Sequence, residues 1–90
     1  MNKKTVIVYS TKKCSKCRSL KRWLRRNKIA FEEKDLDNTD VMTDLVMRNL
    51  FVLSAPALET KNRFWMSTEI FDENNRLTSN FKDFLRGERT

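Results

Sequence analysis

Cys14 and Cys17 lie two residues apart in the stretch YSTKKCSKCR, residues 9–18. Sulfur pairs at this spacing do two kinds of chemistry. They exchange with disulfides, or they supply half of a metal site. A helix beginning between them sets the first sulfur against unpaired backbone N–H groups and the positive end of the helix dipole. Thiols in such settings titrate at about 3.5–7.5, against about 8.5 for a free cysteine. Lys12, Lys13 and Lys16 push the same way. The mechanism that follows is attack by the Cys14 thiolate on a target disulfide, then attack by Cys17 on the mixed disulfide, leaving a 14–17 disulfide. An external electron donor must then reset the pair.

A closed metal site needs four ligands. The chain has one cysteine pair and no histidine, so two carboxylates would have to complete it, an unusual set. No bound metal or cofactor is expected. A metal-binding protein, or a basic nucleic-acid-binding one, stays as the alternative class. Residues 1–28 hold 11 Lys or Arg and no Asp or Glu, whereas residues 29–90 hold 8 basic and 12 acidic residues. The net charge of +7 is therefore local to the cysteines. That placement has a redox explanation and argues against nucleic acid as the partner, although a basic patch alone is a permissive signal. The Arg18, Arg22, Arg25 and Arg26 face reads first as a solvated helix surface.

The elements that must position the pair follow from pattern. Residues 5–9, TVIVY, read as a buried strand. From Ser15, Cys17, Leu20, Trp23 and Leu24 recur at helical spacing, with Ser15, Cys14 or the preceding residues as possible caps and Asn27–Lys28 as the end. Residues 29–36 give a weaker strand and about 39–49 a helix, with Asp37–Asn38–Thr39 as a turn that can cap it. Phe51–Ser54 is a short connection. A strand then runs to about Thr60, with a Lys61–Asn62 turn into a returning strand at Arg63–Met66. Ser67 caps a single helical turn to Phe71, and a last helix over about 79–86 is stopped by Gly87 as its C-cap.

Strand, helix, strand requires a right-handed crossover and a parallel pair. The last two strands form a hairpin. The expected fold class is α/β, a four-stranded mixed sheet flanked by three helices, in one domain over residues 1–90. Sites in such sheets form at carboxyl ends of strands, where Cys14 falls. No run approaches the roughly 18 apolar residues of a membrane span, and the start is too short for a signal peptide. The expectation is a cytosolic protein with no membrane partner, monomeric by default. In a reducing compartment a close cysteine pair is catalytic or metal-binding rather than structural.

Residues 6–17, VIVYSTKKCSKC, followed by a helix, resemble the opening of glutaredoxins and glutaredoxin-like proteins of the thioredoxin fold. SAPAL, residues 54–58, resembles their second hallmark, a cis-proline that begins the third strand; Pro56 lies 42 residues after Cys14. The likeness spans about residues 5–86. It implies a thiol–disulfide oxidoreductase with Cys14 as nucleophile and Cys17 as resolving thiol. It further implies a cis Pro56 beside Cys14, with Ala55 offering its backbone to substrate as an added strand. Lys12 and Lys13 before the nucleophile, and Ser67 and Thr68 at a helix start, are the further substrate-binding candidates. The implied partners are disulfide-containing proteins and a reductase. Departures from the family pattern are Ser15 and Lys16 between the cysteines, Thr11 where a basic residue is common, and no glycine pair after the fourth strand. They leave the donor open between a reductase enzyme and glutathione.

Overall fold

The computed structural model describes residues 6–61 and 63–88. Four strands form one sheet in the order β2-β1-β3-β4, with β1 at Ile7–Ser10, β2 at Glu32–Asp35, β3 at Ala57–Glu59 and β4 at Phe64–Trp65. β1 runs parallel to β2 and antiparallel to β3, and β3 runs antiparallel to β4. The helices are α1 at Ser15–Arg26, α2 at Thr39–Met47, α3 at Ser67–Ile70 and α4 at Ser79–Glu88. This is the mixed α/β arrangement of the thioredoxin fold.

Strand alternation divides the core in two. Val6, Val8, Leu58 and Trp65 face one way and pack with Leu20 and Leu24 of α1, Ile70 of α3, and Phe81 and Leu85 of α4. Tyr9 and Ala57 face the other way and pack with Leu45 of α2 and Val52. Trp65 meets the Phe81 ring edge-on at 5.2 Å and Phe84 at 5.4 Å. It is 2 % exposed and belongs to the core. β2 carries charges at all four positions and lies at the sheet edge. Exposed charge is a common way to keep an edge strand from pairing with other chains.

Helix ends follow side-chain chemistry. The Asn38 side chain accepts from the N–H groups of Asp40 and Val41, capping α2. α1 and α2 close with non-glycine residues at positive φ, Lys28 at 58° and Asn49 at 61°. In each case the next N–H, of Ile29 or Leu50, returns to a carbonyl inside the helix, Leu24 or Leu45.

Three boundaries differ from the expectation. Gly87 does not stop α4, which continues through it to Glu88 without positive φ; a glycine near the end of an amphipathic helix is tolerated when nothing demands a turn there. Ser67 is the first residue of α3 and not its cap. Met66 holds the cap position, and its N–H donates to Glu69 Oε1 at 2.9 Å. β2 is also shorter than the 29–36 run, because Ile29 is drawn into the core at the end of α1. Of the expected turn at Lys61–Asn62 and strand from Thr5, Asn62 and Thr5 lie outside the described residues. The flanking Thr60 N–H donates to the Arg63 carbonyl at 2.7 Å.

Candidate active site

β1 ends at Ser10, and the loop from Thr11 delivers Cys14 to the N-cap of α1. Cys14 has extended backbone geometry, φ −136° and ψ 105°. Its sulfur accepts a hydrogen bond from the Cys17 N–H at 3.0 Å, and its carbonyl accepts the Arg18 N–H at 3.2 Å. A sulfur therefore fills the place where a helix start ordinarily takes a Ser, Thr or Asp oxygen. Cys17 sits in the first turn, on the stripe that also buries Leu20 and Leu24. The two sulfurs are joined as a disulfide across a Cα–Cα distance of 5.2 Å, within the ordinary range for such bonds.

The two cysteines differ in access. Cys17 is 1 % exposed, whereas Cys14 is half-buried. An incoming sulfur reaches Cys14 first. That asymmetry is what an attacking and a resolving thiol require.

The sheet sets what faces the pair. Tyr9 of β1 lies opposite Ala57 of β3, so the antiparallel register brings Ala55–Pro56, which leads into β3, to the sheet end from which the Cys14 loop departs. The Ala55–Pro56 peptide bond is cis. Lys16, between the cysteines, turns its ammonium over the Phe71 ring, 5.7 Å from the centroid. It shares a cleft of about 450 Å³ with Ser54, Ser67 and Thr68. Ser54, next to Ala55, and the start of α3 thus line the cleft that Lys16 borders, with Asp72 and Glu73 also on its wall. Ser67 is buried and Thr68 exposed.

Lys12 shares a second cleft, of about 330 Å³, with Ser10, Lys21, Glu33 and Asp35. The Ser10 hydroxyl and the Lys21 ammonium both donate to Glu33 Oε2 at 2.7 Å. Lys21 first, and Ser10 after it, hold the Glu33 carboxyl below its ordinary value. Lys13 is exposed. Among the described residues, no group of three or more His, Cys, Asp or Glu is placed to hold a metal ion. No described helix is long and apolar enough to cross a membrane.

Residues of this neighbourhood that the sequence pattern did not single out are Phe51, Leu53 and Phe71. Phe51–Ser54 read as a plain connection. The available signal was two large apolar residues in a loop two and four positions before Ala55.

A glutaredoxin family model matches residues 6–65. That is two thirds of the chain and spans both cysteines, Pro56 and all four strands; the chain belongs to the glutaredoxin family. The match stops before α3 and α4, the region where the glycine-pair signature is missing from the sequence. No curated protein matches the chain. The family and the Cys14–Cys17 pair together mark a protein of the thiol–disulfide oxidoreductase type.

Proposed function

We propose that the reduced protein donates two electrons to disulfides of other proteins. The observation that carries this reading is the Cys17 N–H aimed at the Cys14 sulfur from 3.0 Å at the start of α1. In the reduced protein the same N–H and the helix dipole favour charge on Cys14 over charge on a free thiol. The Cys14 thiolate attacks one sulfur of the target disulfide, and the other sulfur leaves as a thiolate. Cys17, deprotonated as it attacks, then displaces the target sulfur from Cys14. Two target thiols and the 14–17 disulfide are the products.

Lys12 and Lys13 serve as attractive charges for an approaching target. Ala55 and Pro56 line its path, with Ser67 and Thr68 on the far wall. No bound cofactor takes part. A reductase enzyme or glutathione returns the pair to the dithiol. A reducing compartment such as the cytosol suits this cycle, and a monomer suffices for it.

The experiment is capture. Cys17→Ser leaves Cys14 able to attack and unable to be released, so incubation with a disulfide substrate should accumulate a Cys14 mixed disulfide visible by mass. A Cys17→Ser protein that captures no substrate removes the dithiol mechanism.

A further inference from the structure

The loop before Ala55 and the start of α3 border a cleft that the exchange chemistry does not need. Phe51 and Leu53 remain 59 % and 95 % exposed, although each is large and apolar. They line a cleft of about 170 Å³ with Ser54, Met66, Ser67 and Thr68. Ser54, Ser67 and Thr68 also line the cleft that reaches Lys16 between the cysteines. The apolar cleft is thus continuous with the active-site side of the molecule. Isolated exposed apolar residues are ordinary. Two that share a cleft, itself joined through Ser54, Ser67 and Thr68 to the cleft that Lys16 borders, point to a ligand contact.

Its size restricts the occupant. Small-molecule sites measure roughly 300–1,000 Å³; this cleft fits one side chain. Its backbone suits a polypeptide, since among the described residues the N–H groups of Leu53, Ser54 and Ala55 donate to no protein oxygen. An extended segment lying along them has donors to meet. Around the cysteines Lys12, Lys13 and Arg18 are exposed, while Asp72 and Glu73 line the cleft that Lys16 borders, so charge of both signs faces an approaching segment.

We infer that Phe51 and Leu53 form a specificity pocket for an apolar side chain beside the half-cystine of an extended polypeptide. The inference rests on the proposed disulfide reduction and names its substrate class, a protein segment in preference to a small thiol compound. The electron balance is unchanged: the Cys14–Cys17 dithiol supplies both electrons, and both sulfurs of the substrate disulfide leave as thiols.

The test is single-turnover reduction by the pre-reduced protein of two synthetic peptides. Each carries one cysteine in mixed disulfide with cysteamine, with either leucines or serines flanking the cysteine. The leucine peptide should react about tenfold faster or more, the discrimination one apolar group in a pocket provides. Phe51→Ser with Leu53→Ser should bring the ratio toward one, and Leu53→Ser alone should lower it partway. Far-ultraviolet circular dichroism checks that each variant is folded. Equal rates for the two peptides in the wild type, or an unchanged ratio in the folded double variant, overturn the pocket while the redox reading stands. Failure of the wild type to reduce either peptide overturns both. Equal rates together with a dimer that the same substitutions dissolve would place a second copy of this chain on the cleft instead.

Discussion

The Cys17 backbone N–H points at the Cys14 sulfur from 3.0 Å, so in the proposed exchange the residue that resolves also helps charge the residue that attacks. The contact exists because Cys14 occupies the N-cap of α1, and the N-cap is where a helix offers unpaired donors. Its backbone donor survives replacement of the Cys17 side chain, which separates the two roles of that residue.

Cys14→Ser should abolish disulfide reduction, measured as loss of target disulfide per mole of reduced protein. A serine retains the cap but supplies no thiolate. Activity persisting in this variant would assign the chemistry elsewhere.

Tyr9 supplies a test at alkaline pH. It is buried, and its hydroxyl donates to Glu59 Oε1 at 2.8 Å, while Arg48 holds the same carboxylate and Asp44. Burial, and then the Glu59 hydrogen bond, push the Tyr9 hydroxyl up to about 12. The folded state therefore keeps a proton that the unfolded chain loses near pH 10. The associated stability is fully present below pH 10 and is lost as pH rises to about 12. Tyr9→Phe should cost about 1 kcal/mol at neutral pH through the lost hydrogen bond. It should also flatten the alkaline decline relative to wild type by about 2–3 kcal/mol. Urea unfolding of both proteins between pH 9 and 12 reads the difference; parallel declines would contradict it.

Glu33 has the opposite sign. Its carboxyl is held below the ordinary 4.5 by Lys21 and Ser10. Its contribution is present above that value and fades as pH falls through the folded one. The Glu33 side chain is 42 % exposed, so Glu33→Gln should cost only about 0.5 kcal/mol near pH 7. That difference should shrink in high salt and vanish in acid. A penalty that persists in acid would mean the loss is packing and not charge.

Packing under the site is concentrated on Phe81, fully buried and flanked by the rings of Trp23 and Trp65. Phe81→Ala should cost about 3–5 kcal/mol. A chain of this length has about 5–13 kcal/mol in total, so thermal unfolding should show a severely weakened protein. A loss below about 1 kcal/mol would be too small for removal of an aromatic from a close-packed core.

Gly87 offers a change of the other sign. It lies within α4 at negative φ, and a methyl group added there meets no atom within 4 Å. Gly87→Ala should stabilise by up to about 1 kcal/mol, raising the melting temperature by a few degrees. A lower melting temperature would mean that the helix end needs the glycine's freedom after all.

The site and the sheet were legible in the sequence to different depths. Period and spacing were enough for the strand before Cys14, the helix after it and the parallel crossover, because a β-branched run and a 3.6-residue stripe are local signals. The cis bond at Pro56 followed only from family likeness, since nothing in SAPAL by itself separates cis from trans. The β1–β3 pairing that seats Ala55–Pro56 near the cysteine loop is a contact across nearly fifty residues, and no local pattern encodes it. Gly87 misled because a glycine at a helix end has two explanations and the sequence shows only one residue. Leu53 and Phe51 were passed over for a related reason. Apolar residues in a loop suggest burial, and only the fold leaves these two in solvent.

The central claim is that Cys14 is a poised nucleophile and Cys17 a shielded partner. The most direct measurement is the alkylation rate of each thiol in the fully reduced protein across pH, with the modified residue mapped by mass. Cys14 should react rapidly well below pH 8, with Cys17 lagging until the protein is unfolded. Equal reactivity of both thiols, with the pH dependence of free cysteine, would contradict the account.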